Sequence, residues 1–160
     1  MTVKRDGREP TPEARLRSYI DRLDPKNQKL VRSVRAALRK RFPTANELAY
    51  DYKRFFVIGY SPTDRGIDSI VAIAARTTSV SLYFSQGPKL PDPKRILLGS
   101  GKQTRFVQVD AASLLALPDV EALIAAAIDQ ARIPLPSKGK GSLIIKTDGA
   151  KKRPPRKPTK

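Results

Sequence analysis

Cysteine and histidine are both missing from the 160 residues. Disulfides, thiolate nucleophiles and Cys/His zinc sites are therefore excluded, as is any triad that uses imidazole as its base. A metal would have to be held by carboxylates, carbonyls and water, a set that suits hard cations better than zinc or copper. Tryptophan is absent too, and the aromatics amount to five Tyr and five Phe. The longest apolar runs, 70–75 and 122–128, fall far short of the roughly 20 residues that cross a bilayer. Residues 1–10 carry charge but no apolar segment of the secretory kind, so the expected location is the cytoplasm.

Positive charge is what the chain has in plenty: 32 Lys/Arg against 15 Asp/Glu, a net +17. Residues 137–160 supply +8 of this, with Asp148 their one acid, and residues 1–136 supply +9. Domain and extension are thus both basic. The length suits one hydrophobic core. Apolar content of 39% is low for such a core, which points to a segment that takes no part in it. We expect a flexible lead-in over 1–10, a domain over 11–136 and a basic extension over 137–160. The extension turns Pro/Lys/Arg-rich, and by expectation disordered, from about residue 150.

Thr11-Pro12 and Asp24-Pro25 each read as a helix N-cap followed by proline at the first helical position. The first predicts a helix to about residue 23 with Leu16, Tyr19, Ile20 and Leu23 on one stripe. The second predicts a helix that ends before Pro43, with Leu30, Val31, Val34 and Leu38 on its apolar side. From Glu47 the period changes to two, and strands are expected over 47–52, 55–60, 67–75, 79–84 and 104–109. Residues 70–74 are apolar on both faces, which places that strand centrally. A turn of helix is expected over 94–98, a short helix capped by Asp110 over 111–115, and a last helix from Pro118. Ser142-Leu143-Ile144-Ile145 suits a small edge strand. Helices, then strands, then helices predict an α+β fold: an antiparallel sheet of about five strands with helices packed on one face.

Glu47-Leu48-Ala49-Tyr50, the strand pair after it, and the run Leu98-Gly99-Ser100-Gly101-Lys102-Gln103-Thr104-Arg105-Phe106 resemble the YdhG-like family, a domain family of unknown function. The stretch Gly139-Lys140-Gly141-Ser142-Leu143-Ile144-Ile145-Lys146 is similar to a C-terminal extension in one branch of it. The resemblance spans residues 19–146. It implies a fold similar to frataxin, and for some members a link to iron delivery inside the cell; it implies no catalytic residues. Many members follow the tyrosine with Gly-x-Pro, whereas Tyr50 is followed here by Asp51-Tyr52-Lys53, so a pocket shaped by that stretch is altered.

Four features bear on function. Gly99-Ser100-Gly101-Lys102 is not a P-loop, because Ile96 and Gln103 stand where the first glycine and the Ser/Thr belong. It reads first as a turn before a strand, and second as a backbone nest for an anion, with Ser100, Lys102 and Arg105 as ligands. Lys29, Arg32, Arg35 and Arg39 share a face of the second helix, and Lys151, Lys152 and Arg153 sit in the extension; both groups suit phosphate backbones, or are simply solvated. Tyr50 and Tyr83 are candidates for lining a small pocket. The acids are scattered among arginines, which speaks against a carboxylate iron site. No metal ligand set, cofactor or catalytic motif is found, so an enzyme is not expected. The expected function is a non-catalytic binding protein whose basic surface and tail engage an anionic partner, nucleic acid or acidic protein. The alternative is a frataxin-like intracellular iron chaperone.

Overall fold

The computed structural model describes residues 10–148. Both proline-marked caps form. The Thr11 hydroxyl accepts from the Ala14 N–H at 3.1 Å, and the Asp24 carboxylate accepts from the Asn27 N–H at 2.9 Å. Each satisfies a donor that the first helical turn leaves orphaned, an effect of about 1 kcal/mol. They open α1 (Pro12–Ile20) and α2 (Pro25–Arg41).

Five strands follow in antiparallel sequence: β1 (Asn46–Asp51), β2 (Phe55–Ser61), β3 (Val71–Arg76), β4 (Ser79–Phe84) and β5 (Arg105–Gln108). The third helix, α3 (Pro118–Asp129), leads to β6 (Leu143–Asp148), which lies parallel to β1 and completes the order β5-β4-β3-β2-β1-β6. The fold is α+β, with six strands in place of about five, and the added strand comes from the segment expected as a basic extension. Gly141 makes this possible. Its N–H donates to the Pro43 carbonyl at 3.1 Å, and a Cβ there would collide with the Ala45 carbonyl. The Glu47 N–H then donates to the Ser142 carbonyl at 2.9 Å and starts the parallel ladder.

Alternation sorts the strands into two faces. Ala49, Ile58, Ile73, Leu82 and Val107 align in register across β1 to β5 and join one buried core with Leu16 and Ile20 of α1, Val31, Val34 and Leu38 of α2, and Leu123 and Ile124 of α3. Aromatic contacts tie the layers: Tyr19 lies 5.8 Å from Phe56, and Phe42 lies 6.0 Å from Tyr60. β3 is central, as its apolar pattern predicts. Among the described residues the helices pack on this face, and on the opposite face the loop 62–69 lies over its Leu48 end.

Three local expectations change. Residues 66–68 form a 3₁₀ turn, so β3 starts at Val71 rather than residue 67. No helical turn forms over 94–98: the Asp92 carboxylate takes the N–H groups of Ile96 and Leu97, both at 2.9 Å, and Leu98 pairs instead with Phe106. The segment after Asp110 is a 3₁₀ helix (Ala112–Ala116) that no side chain caps.

Candidate anion-binding site

Among the described residues α2 is rich in cations, and the fold consumes several of them. Arg35 donates from Nε and Nη2 to the two carboxylate oxygens of Glu47, both at 2.8 Å, and from Nη1 and Nη2 to Glu13 at 3.0 and 2.8 Å. Its side chain is 13% exposed and that of Glu47 only 5%. The Tyr60 hydroxyl donates to Glu47 as well, at 2.7 Å. This network joins α1, α2, β1 and β2. The Glu47 hydrogen bonds hold the Arg35 guanidinium well above its ordinary pKa. The Arg35 hydrogen bond, against some burial, holds Glu13 below the usual carboxylate value. Burial, then the Glu47 charge, push Tyr60 well above 10.0. Arg39 lies 3.8 Å from both Glu13 and Glu47, and Arg32 lies 3.7 Å from Asp21. Lys29 is exposed. The four cations therefore do not act as one free patch: Arg35 is a structural cross-link.

The glycine loop is placed otherwise. Leu98 and Phe106 exchange both backbone hydrogen bonds, at 2.7 and 3.1 Å, so residues 99–105 stand out as a closed excursion at the edge of the sheet. Arg105 faces inward on it, donating to the Thr104 carbonyl at 2.9 Å and to the Gly101 carbonyl. It braces the loop and is not a free ligand. Ser100 is exposed. Lys102, by contrast, lines a groove of about 440 Å³ with Lys89, Arg132, Ser85, Gln86, Gln103 and Thr104. Lys89 arrives on the 3₁₀ turn Gly87–Lys89, which passes so close to β5 that a Cβ on Gly87 would meet the Arg105 backbone nitrogen. Arg132 arrives just after α3. No Asp or Glu lines the groove among the described residues. Lys89 and Arg132 were not among the candidates read from the sequence, because their meeting with Lys102 follows only from where β4, β5 and α3 end.

A second cleft of about 470 Å³ lies at the C-terminal end of α2, lined by Arg39, Lys40, Phe42, Tyr60 and Lys140, but also by Glu47. A carboxylate in the wall and the negative end of the helix dipole both oppose an anion there. Of the two, only the glycine-loop groove has cations without a carboxylate in its lining.

Tyr50 and Tyr83 do not share a pocket. They sit on β1 and β4, both on the helix-free face, with β2 and β3 between them and a register offset of two residues, a separation of about 16 Å at the usual strand spacing. Tyr50 stacks on Tyr52 at 6.2 Å, and burial raises its pKa; Tyr83 stacks on Phe106 at 4.8 Å. Among the described residues no three side chains of the Asp/Glu type gather in a way that could hold a metal. Lys151, Lys152 and Arg153 lie outside the described residues.

Fold and groove together define a class, an α+β protein with one helix-free sheet face and a cationic groove at the end of that sheet. No family model, curated protein or solved structure matches the chain. Among the described residues no helix is long and apolar enough to cross a membrane.

Proposed function

We propose that this chain is a non-catalytic binding protein that engages an anionic partner through the groove formed by Lys89, Lys102 and Arg132. One observation carries the reading: three cations from three separate segments converge beside hydroxyl and amide side chains, with no carboxylate in the lining. Several other cations among the described residues are matched, Arg22 with Asp51, Arg35 with Glu13 and Glu47, Arg41 with Glu121. Charge-assisted hydrogen bonds to an anion contribute about 1.5–3 kcal/mol each where water is partly excluded. The net charge of +17 adds long-range attraction and draws a polyanion toward the molecule. The YdhG-like resemblance and a setting in the cytoplasm belong to the same proposal. The iron-carrying alternative has no comparable observation behind it, since a strongly positive chain repels cations.

Calorimetric titration of the full chain with inorganic polyphosphate tests the reading. Lys102→Glu and Arg132→Glu are each expected to weaken binding by about tenfold, and affinity is expected to fall steeply with salt. Unchanged affinity in both variants overturns it.

A further inference from the structure

The ten aromatic residues of the chain divide evenly between the two faces of the sheet. Tyr19, Phe42, Phe56, Tyr60 and Phe84 are buried in the helix-covered core. Tyr50, Tyr52, Phe55, Tyr83 and Phe106 lie on the other side of the sheet, and all five remain partly exposed. They form two groups. Tyr52 stacks between Tyr50 and Phe55, with centroids at 6.2 and 5.0 Å. Tyr83 stacks on Phe106 at 4.8 Å. The register places Val57, Ala72, Ala74 and Ser81 between the groups, so small side chains floor a shallow trough with aromatic rings on either side.

Cations mark both ends of this trough. At one end Arg76 sits over the Phe55 ring, 4.5 Å from its centroid, and Arg54 is exposed in the β1–β2 turn. At the other end lies the groove of Lys89, Lys102 and Arg132, whose lining residue Gly66 rests against the Tyr50 hydroxyl. A core-forming role does not explain five aromatics here, because among the described residues no helix covers them. A second copy of the chain is a poor occupant, since each carries +17. A ligand that presents flat rings along a negatively charged backbone matches both features at once.

We propose that the helix-free sheet face binds single-stranded nucleic acid, with bases against the two aromatic groups and phosphates on the cations at either end. The inference rests on the anion-binding reading of the groove and adds to it a surface for the bases. The bases must be unpaired, because in a duplex their faces are stacked on one another and unavailable to the rings.

The test uses the full chain and four probes: an oligo(dT) of about 15 nucleotides, its duplex with oligo(dA), inorganic polyphosphate and poly-glutamate. With no tryptophan, intrinsic emission comes from the tyrosines, and Tyr50, Tyr52 and Tyr83 all lie on this face. Oligo(dT) is expected to bind several-fold more tightly than the duplex or polyphosphate and to quench tyrosine emission, which polyphosphate leaves unchanged. Tyr83→Leu and Tyr52→Leu, checked for folding by circular dichroism, are each expected to weaken oligo(dT) binding by about tenfold and leave polyphosphate binding as it was. Equal binding of oligo(dT) and polyphosphate without quenching overturns the base surface and leaves the groove reading standing. Equal affinity for single strand and duplex also overturns it. Poly-glutamate binding that depends on Tyr83 makes the face a peptide surface and overturns it as well. Failure to bind any probe removes both readings.

Discussion

At the scale of single residues, the tightest constraint is the Glu47 carboxylate, which accepts from Arg35 twice and from Tyr60 once while almost fully buried. Burying a charge is tolerated only with such compensation. Tyr60→Phe removes one donor to that charge and is expected to destabilise the fold by about 1.5–3 kcal/mol at neutral pH, read by urea denaturation. The same substitution has a pH signature. Tyr60 keeps its proton in the folded state well above 10.0, so the unfolded chain ionises first and stability is lost as pH rises above about 10. Tyr60→Phe is expected to flatten that alkaline decline, leaving the smaller part due to Tyr50, whose pKa burial also raises. An unaltered alkaline slope contradicts the assignment. Glu13 works in the opposite direction: its depressed pKa favours the fold above the ordinary carboxylate value, and that contribution is lost as pH falls through the lowered one.

At the scale of elements, both N-caps were legible because Thr11-Pro12 and Asp24-Pro25 act within four residues of sequence. β4 matched its expected bounds, since Val80, Leu82 and Phe84 alternate cleanly with Ser79, Ser81 and Tyr83. Features set by distant partners were not legible. The charges of Lys29, Arg32, Arg35 and Arg39 are plain in the sequence, but the glutamates that take Arg35 come from α1 and β1. Asp92 capturing two N–H groups has no periodic signal, and so 94–98 read as helix. The edge strand near 143 was visible as a short apolar run, while its parallel pairing with β1 depends on a return past α3. Gly141→Ala tests that pairing. It is expected to force β6 away from β1, to cost about 1–3 kcal/mol in urea denaturation, and to speed hydrogen exchange at the Glu47 amide. Protection at Glu47 equal to that of the unaltered chain contradicts this placement of β6.

At the scale of the whole molecule, the fold separates two kinds of positive charge. On the helix side, arginines pair with carboxylates, from the buried Glu47 to the exposed Glu13, and hold elements together: Arg35 bridges α1 to β1, and Arg41 reaches Glu121 of α3 at 2.9 Å. At the far end of the sheet, Lys89, Lys102 and Arg132 meet without such partners in the groove lining. Net charge alone does not distinguish these roles: in the sequence the helix face suits a phosphate backbone or plain solvation, and the glycine loop reads first as a turn. The topology separates them, because α2 packs toward acids on α1 and β1, whereas the loop before β5 projects past the sheet edge. The central claim is that an anion selects the groove over α2. Amide chemical-shift mapping during titration with inorganic polyphosphate tests it most directly. The account predicts the largest shifts at residues 85–89, 102–104 and 132, with little change along 29–39; shifts concentrated on 29–39, or spread evenly over the surface, contradict it.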